Sequence, residues 1–260
     1  MKKIFKKLIN ATGLNLSLAA DNNSIKSLIN KLKPYNVGYD LIRLGPDADS
    51  GYLLPNDLEG IEACFSPGCD NKYQFEENCF DRNMKVFIAD KTVENKDVPA
   101  KFNFTKKFIS SISNEDFMTI DQWVSNSVSN ENSDLLLQMD IEGDEYQCIL
   151  NMTDELLNRF RIIVIEFHDL DKLFNSFFYR IVSVVFEKLL QNHTCVHIHP
   201  NNNLEIITID GISIPPLSEF TFIRNDRVKS KKSINTFPHP LDQDCVSGKT
   251  TQTLPNMWFE

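Results

Sequence analysis

The stretch "LLLQMDIEGDEYQCIL" occupies residues 135–150. Its first part, Leu135 to Met139, is apolar without alternation, the pattern of a strand buried on both faces. Its last part places Tyr146, Ile149 and Leu150 at i, i+3 and i+4, the stripe of an amphipathic helix. Between them stand Asp140, Glu142, Gly143, Asp144 and Glu145. Two readings fit these acids. They favour the positive end of the helix that follows, or they form a site at the exit of a buried strand.

Outward from this stretch the same alternation repeats. Strands are predicted over 61–66, 85–90, 106–111, 134–140, 161–167, 194–199 and 219–225. Helices are predicted at 119–127, capped by Thr119, and at 176–192, where Phe178, Ile181, Val182, Val185 and Leu189 share one stripe. The last two strands have no helix between them, only a loop region with room for a hairpin. The expected fold class is therefore α/β: a Rossmann-like, mostly parallel seven-stranded sheet with an antiparallel edge strand and helices on both faces. The expected organisation is a helical extension over 1–35, the main domain over 36–227 and a polar arm over 228–260.

A net charge of -9 argues against nucleic acid as a general partner, since phosphate binding needs clustered Lys and Arg. It leaves room for a small-molecule substrate. Self-association is left open. No apolar run is long enough for a transmembrane helix. The start, "MKKIFKKLIN", lacks the apolar region of a signal peptide and reads as a terminal helix or a short membrane-surface helix. The six cysteines show no C-x-x-C spacing; they read as small buried hydrophobes of a reduced compartment, which points to the cytoplasm.

In open α/β sheets ligands gather beyond the carboxyl ends of the strands. There the sequence supplies Ser66 and Gly68 after the first strand and Asp90 after the second. A glycine turn followed some twenty positions later by an acid is the arrangement that holds the ribose of an adenosine. Asp140/Glu142, Glu166/His168 and His197/His199 form three i, i+2 pairs, each pointing to one face of its strand. Carboxylate beside imidazole is a general base or a ligand set for a divalent metal. The competing readings are helix-start acids and hydrogen-bonded core histidines. Gly51 and Tyr52 in "DSGYLLP" read either as a lid over a ligand or as a turn into a short edge strand.

The segment 135–150 resembles the K-x-D-x-E-G-x-E segment of the FkbM-type S-adenosylmethionine-dependent methyltransferases, with Gln138 where Lys is common. "TIDQWV", "RIIVIEFHDL", "FSPGCDNKYQFE", "HIHPNNN" and "ISIPPLSEFTFIR" are similar to neighbouring segments of that family, so the resemblance covers about residues 40–225. It implies a class I methyltransferase fold and methyl transfer to oxygen, on a sugar hydroxyl in many members. By position it implies that Ser66, Gly68 and Asp90, with Gly51 and Tyr52 as lid, hold S-adenosylmethionine, and that Asp140 sits beside its methionine part or the acceptor. His168 or His199 is the expected base, with Glu142 and Asp140 as further catalytic acids. Alternatively Asp140, Glu142 and His168 hold Mg2+ or Mn2+. By analogy, the acceptor is a nucleotide-linked sugar for a bacterial surface polysaccharide, with Arg43 or Arg224 on its phosphate. The rival readings are a nucleotide-dependent oxidoreductase, against which the missing G-x-G-x-x-G counts, and a non-catalytic binding protein that keeps the fold.

Overall fold

The computed structural model describes residues 17–69 and 71–260. The basic start of the chain, and with it about half of the expected extension over 1–35, lies outside them, as does Asp70. The central sheet has seven strands: β1 (Ala63–Pro67), β2 (Lys85–Ala89), β3 (Asn103–Thr105), β4 (Leu135–Met139), β5 (Phe160–Phe167), β6 (His193–Pro200) and β7 (Ser218–Arg224). Their order across the sheet is β6-β7-β5-β4-β1-β2-β3. All pairings among β3, β2, β1, β4 and β5 are parallel, and β7 runs antiparallel to both β5 and β6.

The expected fold class holds, with two local differences. The antiparallel strand is β7, one place in from the edge, and β6 is the edge. The third strand is Asn103–Thr105 and not 106–111; Phe108–Ile109 instead pairs with Phe117–Met118 in a separate two-stranded piece. The hairpin between β6 and β7 is present, with Ile207–Ile209 paired to Ile212–Ile214.

Helices α1 (Asn22–Leu32), α2 (Gln74–Phe80), α3 (Ile120–Ser127), α4 (Glu145–Asn151), α5 (Asp154–Leu157) and α6 (Ser176–Asn192) complete the layers. Caps set several of their starts: Asp21 accepts from Ser24 N at 2.9 Å, Thr119 from Gln122 N at 3.3 Å and Asn175 from Phe177 N at 2.8 Å. Alternate residues of the strands face two apolar layers. Phe65, Leu135, Leu137, Ile163 and Phe220 pack with α1, α3, α4 and α6. Cys64, Leu136, Ile162 and Val164 pack with α2 and with a hairpin of Leu41–Leu44 and Tyr52–Pro55. Fully buried strands with no polar alternation are what two covered faces require.

The chain from β1 runs outward through β2 and β3, while β4 starts on its other side and runs outward through β5. The crevice between the carboxyl ends of β1 and β4 is thus the switch point of the sheet, where ligands of open α/β folds bind.

Candidate active site

Gly68 turns the chain after β1 with φ +82°, and a Cβ built on it would stand 1.7 Å from the Asp140 carbonyl oxygen. Only glycine allows the β1 and β4 loops to approach so closely. Gly68 N also donates to Ala89 O at 3.1 Å, tying three strand ends together. At the end of β2, Asp90 is 7% exposed. Its Oδ1 accepts from Thr92 N at 2.7 Å and Thr92 Oγ1 at 2.6 Å, which fixes the carboxylate and leaves Oδ2 without a partner among the described residues.

A cavity of about 830 Å3 opens over these ends. Gly68, Ala89, Asp90 and Thr92 line one side, with Phe108, Ile109 and Phe117 as its apolar wall. Glu166, Asn201, Asn203, Leu204 and Leu217 line the other side, beyond β5. Asp140, Ile141, Glu142, Asp144 and His168 lie between. Asp49 and Ser50 lean over the mouth, where Lys72 and Asp49 form an ion pair at 2.7 Å.

His168 is held from below. Its Nδ1 lies 3.2 Å from Oε1 of the fully buried Glu145, which also accepts from His168 N at 2.7 Å. Glu145 Oε2 accepts from Gly143 N at 2.8 Å, and the Tyr146 hydroxyl donates to His168 O. The other ring nitrogen, Nε2, stands 3.4 Å from Glu142 and 3.8 Å from Asp140 Oδ1. Burial opposes a charge on His168, but the hydrogen bond to Glu145 and the charges of Glu145, Asp140 and Glu142 outweigh it and raise its pKa. Burial, against the pull of His168, pushes Asp140 up to about 7. Asp140 Oδ1 is buried and has no hydrogen-bond partner among the described residues.

Asp140, Glu142 and His168 each offer a ligand atom, all within 4.8 Å of one another. Two carboxylates and an imidazole suit a hard or borderline divalent cation, and a ligating histidine is commonly oriented by a carboxylate on its other nitrogen, as Glu145 does here. Glu142 reaches the group from an exposed turn at φ +57°.

Gly68, Asp90, Asp140, Glu142 and His168 therefore share one cavity. Several expected residues do not join them. Ser66 is fully buried beneath the floor, where its hydroxyl bridges the Glu76 carboxyl and Gln138 Oε1, the latter at 2.6 Å. Gln138 in turn donates to the Tyr52 hydroxyl at 3.1 Å, so Tyr52 is a core residue of the hairpin and not a lid. Gly51 packs against Arg43 and the Pro46 carbonyl; Asp49 and Ser50 are the residues that reach the mouth. His199 does not line this cavity. Together with His197 it binds Asp242, at 3.7 Å and 2.8 Å, and so anchors residues 239–246 to β6. Arg43 donates to the Pro46 and Ala48 carbonyls, and Arg224 pairs with Asp134 and Asp226. Neither lines the cavity. Glu145, Thr92 and the wall of Phe108, Ile109 and Phe117 were not among the expected site residues, while Glu166 was marked only by its i, i+2 pairing with His168. Of the unexpected residues, Glu145 alone carried a usable signal, lying within three residues of Glu142.

The sequence over residues 14–210 matches the family model of the methyltransferase FkbM domain. The chain belongs to the FkbM methyltransferase family. It is accordingly an S-adenosylmethionine-dependent methyltransferase. No curated protein matches it. Among solved structures, a SAM-dependent methyltransferase from Archaeoglobus fulgidus is similar at 14% identity, covering 64% of this chain and 88% of that one with a TM-score of 0.36. In this methyltransferase no described helix is long and apolar enough to cross a membrane. The cavity suits the methyl donor in one respect: its acidic lining favours a cationic sulfonium.

Proposed function

We propose that this methyltransferase moves a methyl group to a sugar hydroxyl. The observation that carries the reading is the joint placement of Gly68, Asp90 and Asp140 at the β1/β4 switch point, with a second, polar side of the cavity left for an acceptor. Asp90 Oδ2 is placed to accept from ribose hydroxyls, and Phe108, Ile109 and Phe117 give an adenine an apolar wall.

A hydroxyl is almost wholly protonated at neutral pH, so its proton must be taken as the new bond forms. Asp140 is the group for this: it lies between the two sides of the cavity, and its pKa near neutrality makes it an effective acceptor. His168, with its raised pKa, favours the charged form. It therefore steadies the Asp140 carboxylate rather than serving as the first base. The same side chains could hold Mg2+ or Mn2+; such an ion, bound by Asp140, Glu142 and His168, would supply Lewis acidity to an acceptor hydroxyl. A surface-polysaccharide setting and cytoplasmic action remain part of the proposal through the family's sugar chemistry. The phosphate contacts that a nucleotide-linked acceptor needs gain no support from Arg43 or Arg224.

The test is adenosylhomocysteine release with sugar acceptors, with and without Mn2+. Turnover that survives in Asp140→Asn at the wild-type rate contradicts the assignment. Manganese binding by electron paramagnetic resonance, compared between wild type and His168→Ala, tests the ion site without reference to turnover.

A further inference from the structure

The polar side of the cavity has a composition of its own. Glu166 is the last residue but one of β5 and is 3% exposed, yet it lines the cavity. Its Oε1 accepts from Asn201 Nδ2 at 2.9 Å, and Oε2 has no partner among the described residues. Asn201 is itself 5% exposed and follows directly on β6. The position is fixed from outside. Asn202 donates to Val246 O at 2.9 Å and accepts from Val246 N at 2.8 Å, so the 200–204 turn is stitched to the C-terminal segment. Glu166 and Asn201 thus form a rigid, nearly buried pair with one open oxygen, beside the apolar Leu204 and Leu217.

The charge of the lining narrows the ligand. Asp49, Asp90, Asp140, Glu142, Asp144 and Glu166 are carboxylates, and Lys72, the one lysine or arginine among the lining residues, is already paired with Asp49. A phosphate brought here meets the negative charge of Asp49, Asp90, Glu142 and Asp144, which excludes ligands more strongly than a missing contact does.

On the reading that this cavity also holds the methyl donor, we infer that Glu166 and Asn201 form the acceptor subsite and that it takes an uncharged, hydroxyl-bearing glycoside and rejects phosphorylated or nucleotide-linked sugars. Glu166 Oε2 pairs with an acceptor hydroxyl, Asn201 holds the carboxyl in place, and Leu204 and Leu217 cover the apolar face of the ring.

The experiment is saturation-transfer NMR on the full chain loaded with adenosylhomocysteine. The probes are a panel of neutral methyl glycosides, the matching sugar phosphates and uridine-diphosphate sugars. At least one neutral glycoside is expected to bind, with the phosphorylated forms of the same sugar showing no transfer. Glu166→Leu is expected to weaken the glycoside by ~10-fold or more, the loss of a buried hydrogen bond, while the affinity for adenosylhomocysteine stays within about 2-fold of wild type. Preferred binding of the charged sugars overturns the inference, as does a panel with no bound glycoside or glycoside binding that survives in Glu166→Leu. Should the variant fold poorly, the wild-type comparison of neutral and charged forms still decides. Failure of adenosylhomocysteine itself to bind strikes the methyl-donor reading instead and is seen before any sugar is added.

Discussion

At Gly68 one hydrogen in place of a methyl group decides whether the cavity exists. The backbone is at φ +82° and the Asp140 carbonyl occupies the space a Cβ would need. Gly68→Ala is expected to destabilise the fold by about 2 kcal/mol or more and to weaken adenosylhomocysteine binding, because the β1 and β4 loops must separate. Equal melting temperature and affinity would contradict this. Glu145 acts on the neighbouring histidine through its hydrogen bond. In metal-free protein, Glu145→Gln is expected to lower the His168 pKa, read from the imidazole proton shifts in an NMR titration. An unchanged titration would show that Asp140 and Glu142 alone set it. The sequence showed Asp140, Glu142 and His168 by their i, i+2 spacing at strand ends. It did not show that Glu145 turns inward, since an acid in the first turn of a helix is equally at home in solvent.

Elements were legible where burial is symmetric. Leu135–Met139 and Phe160–Phe167 have every residue buried, and their unbroken apolar runs said so. Asn103–Thr105 has only three residues and no such run, so the flanking 106–111 stood out in its place. The position of β7 inside the sheet was not legible, because β6 is itself buried along all eight residues although it is the edge. It is buried because residues from the C-terminal segment cover it, with Asp242 lodged between His197 and His199. The burial that makes these histidines look catalytic is thus part of an edge cover. Asp242→Ala leaves two buried imidazoles without their carboxylate and is expected to cost about 3 kcal/mol in chemical denaturation. Adenosylhomocysteine affinity is expected to change little; a variant as stable as wild type would show that the segment docks by other contacts.

Several acids of the molecule hold their protons to a higher pH than an ordinary carboxyl. Burial first of all pushes Asp140, Glu219 and Glu76 up to about 7, and Glu166 higher. Glu166 and Glu219 face each other on β5 and β7, so each also opposes the charge of the other. His168 and His199 are raised as well, their carboxylate partners outweighing burial. A group that binds its proton more tightly in the folded state stabilises the fold below its unfolded pKa and loses that contribution as pH rises through its folded pKa. His193, lowered by burial to about 4, has the opposite sign, but its contribution is complete above the ordinary value of 6.5. Above pH 6.5 thermal stability is therefore expected to fall as these groups lose their protons, at constant ionic strength. Glu219→Gln is expected to flatten that slope, and a stability that rises over the same interval would contradict the protonation pattern.

The most direct measurement is calorimetric titration of adenosylhomocysteine into wild type and Asp90→Asn. The asparagine keeps an oxygen for Thr92 but turns the second carboxylate oxygen, the one proposed to accept from the ribose, into an amide. Saturable binding to wild type, weakened on the order of 10-fold in the variant, is expected if the crevice between β1 and β4 holds the methyl donor. No heat with wild type, or the same affinity in both proteins, would place the methyl donor elsewhere.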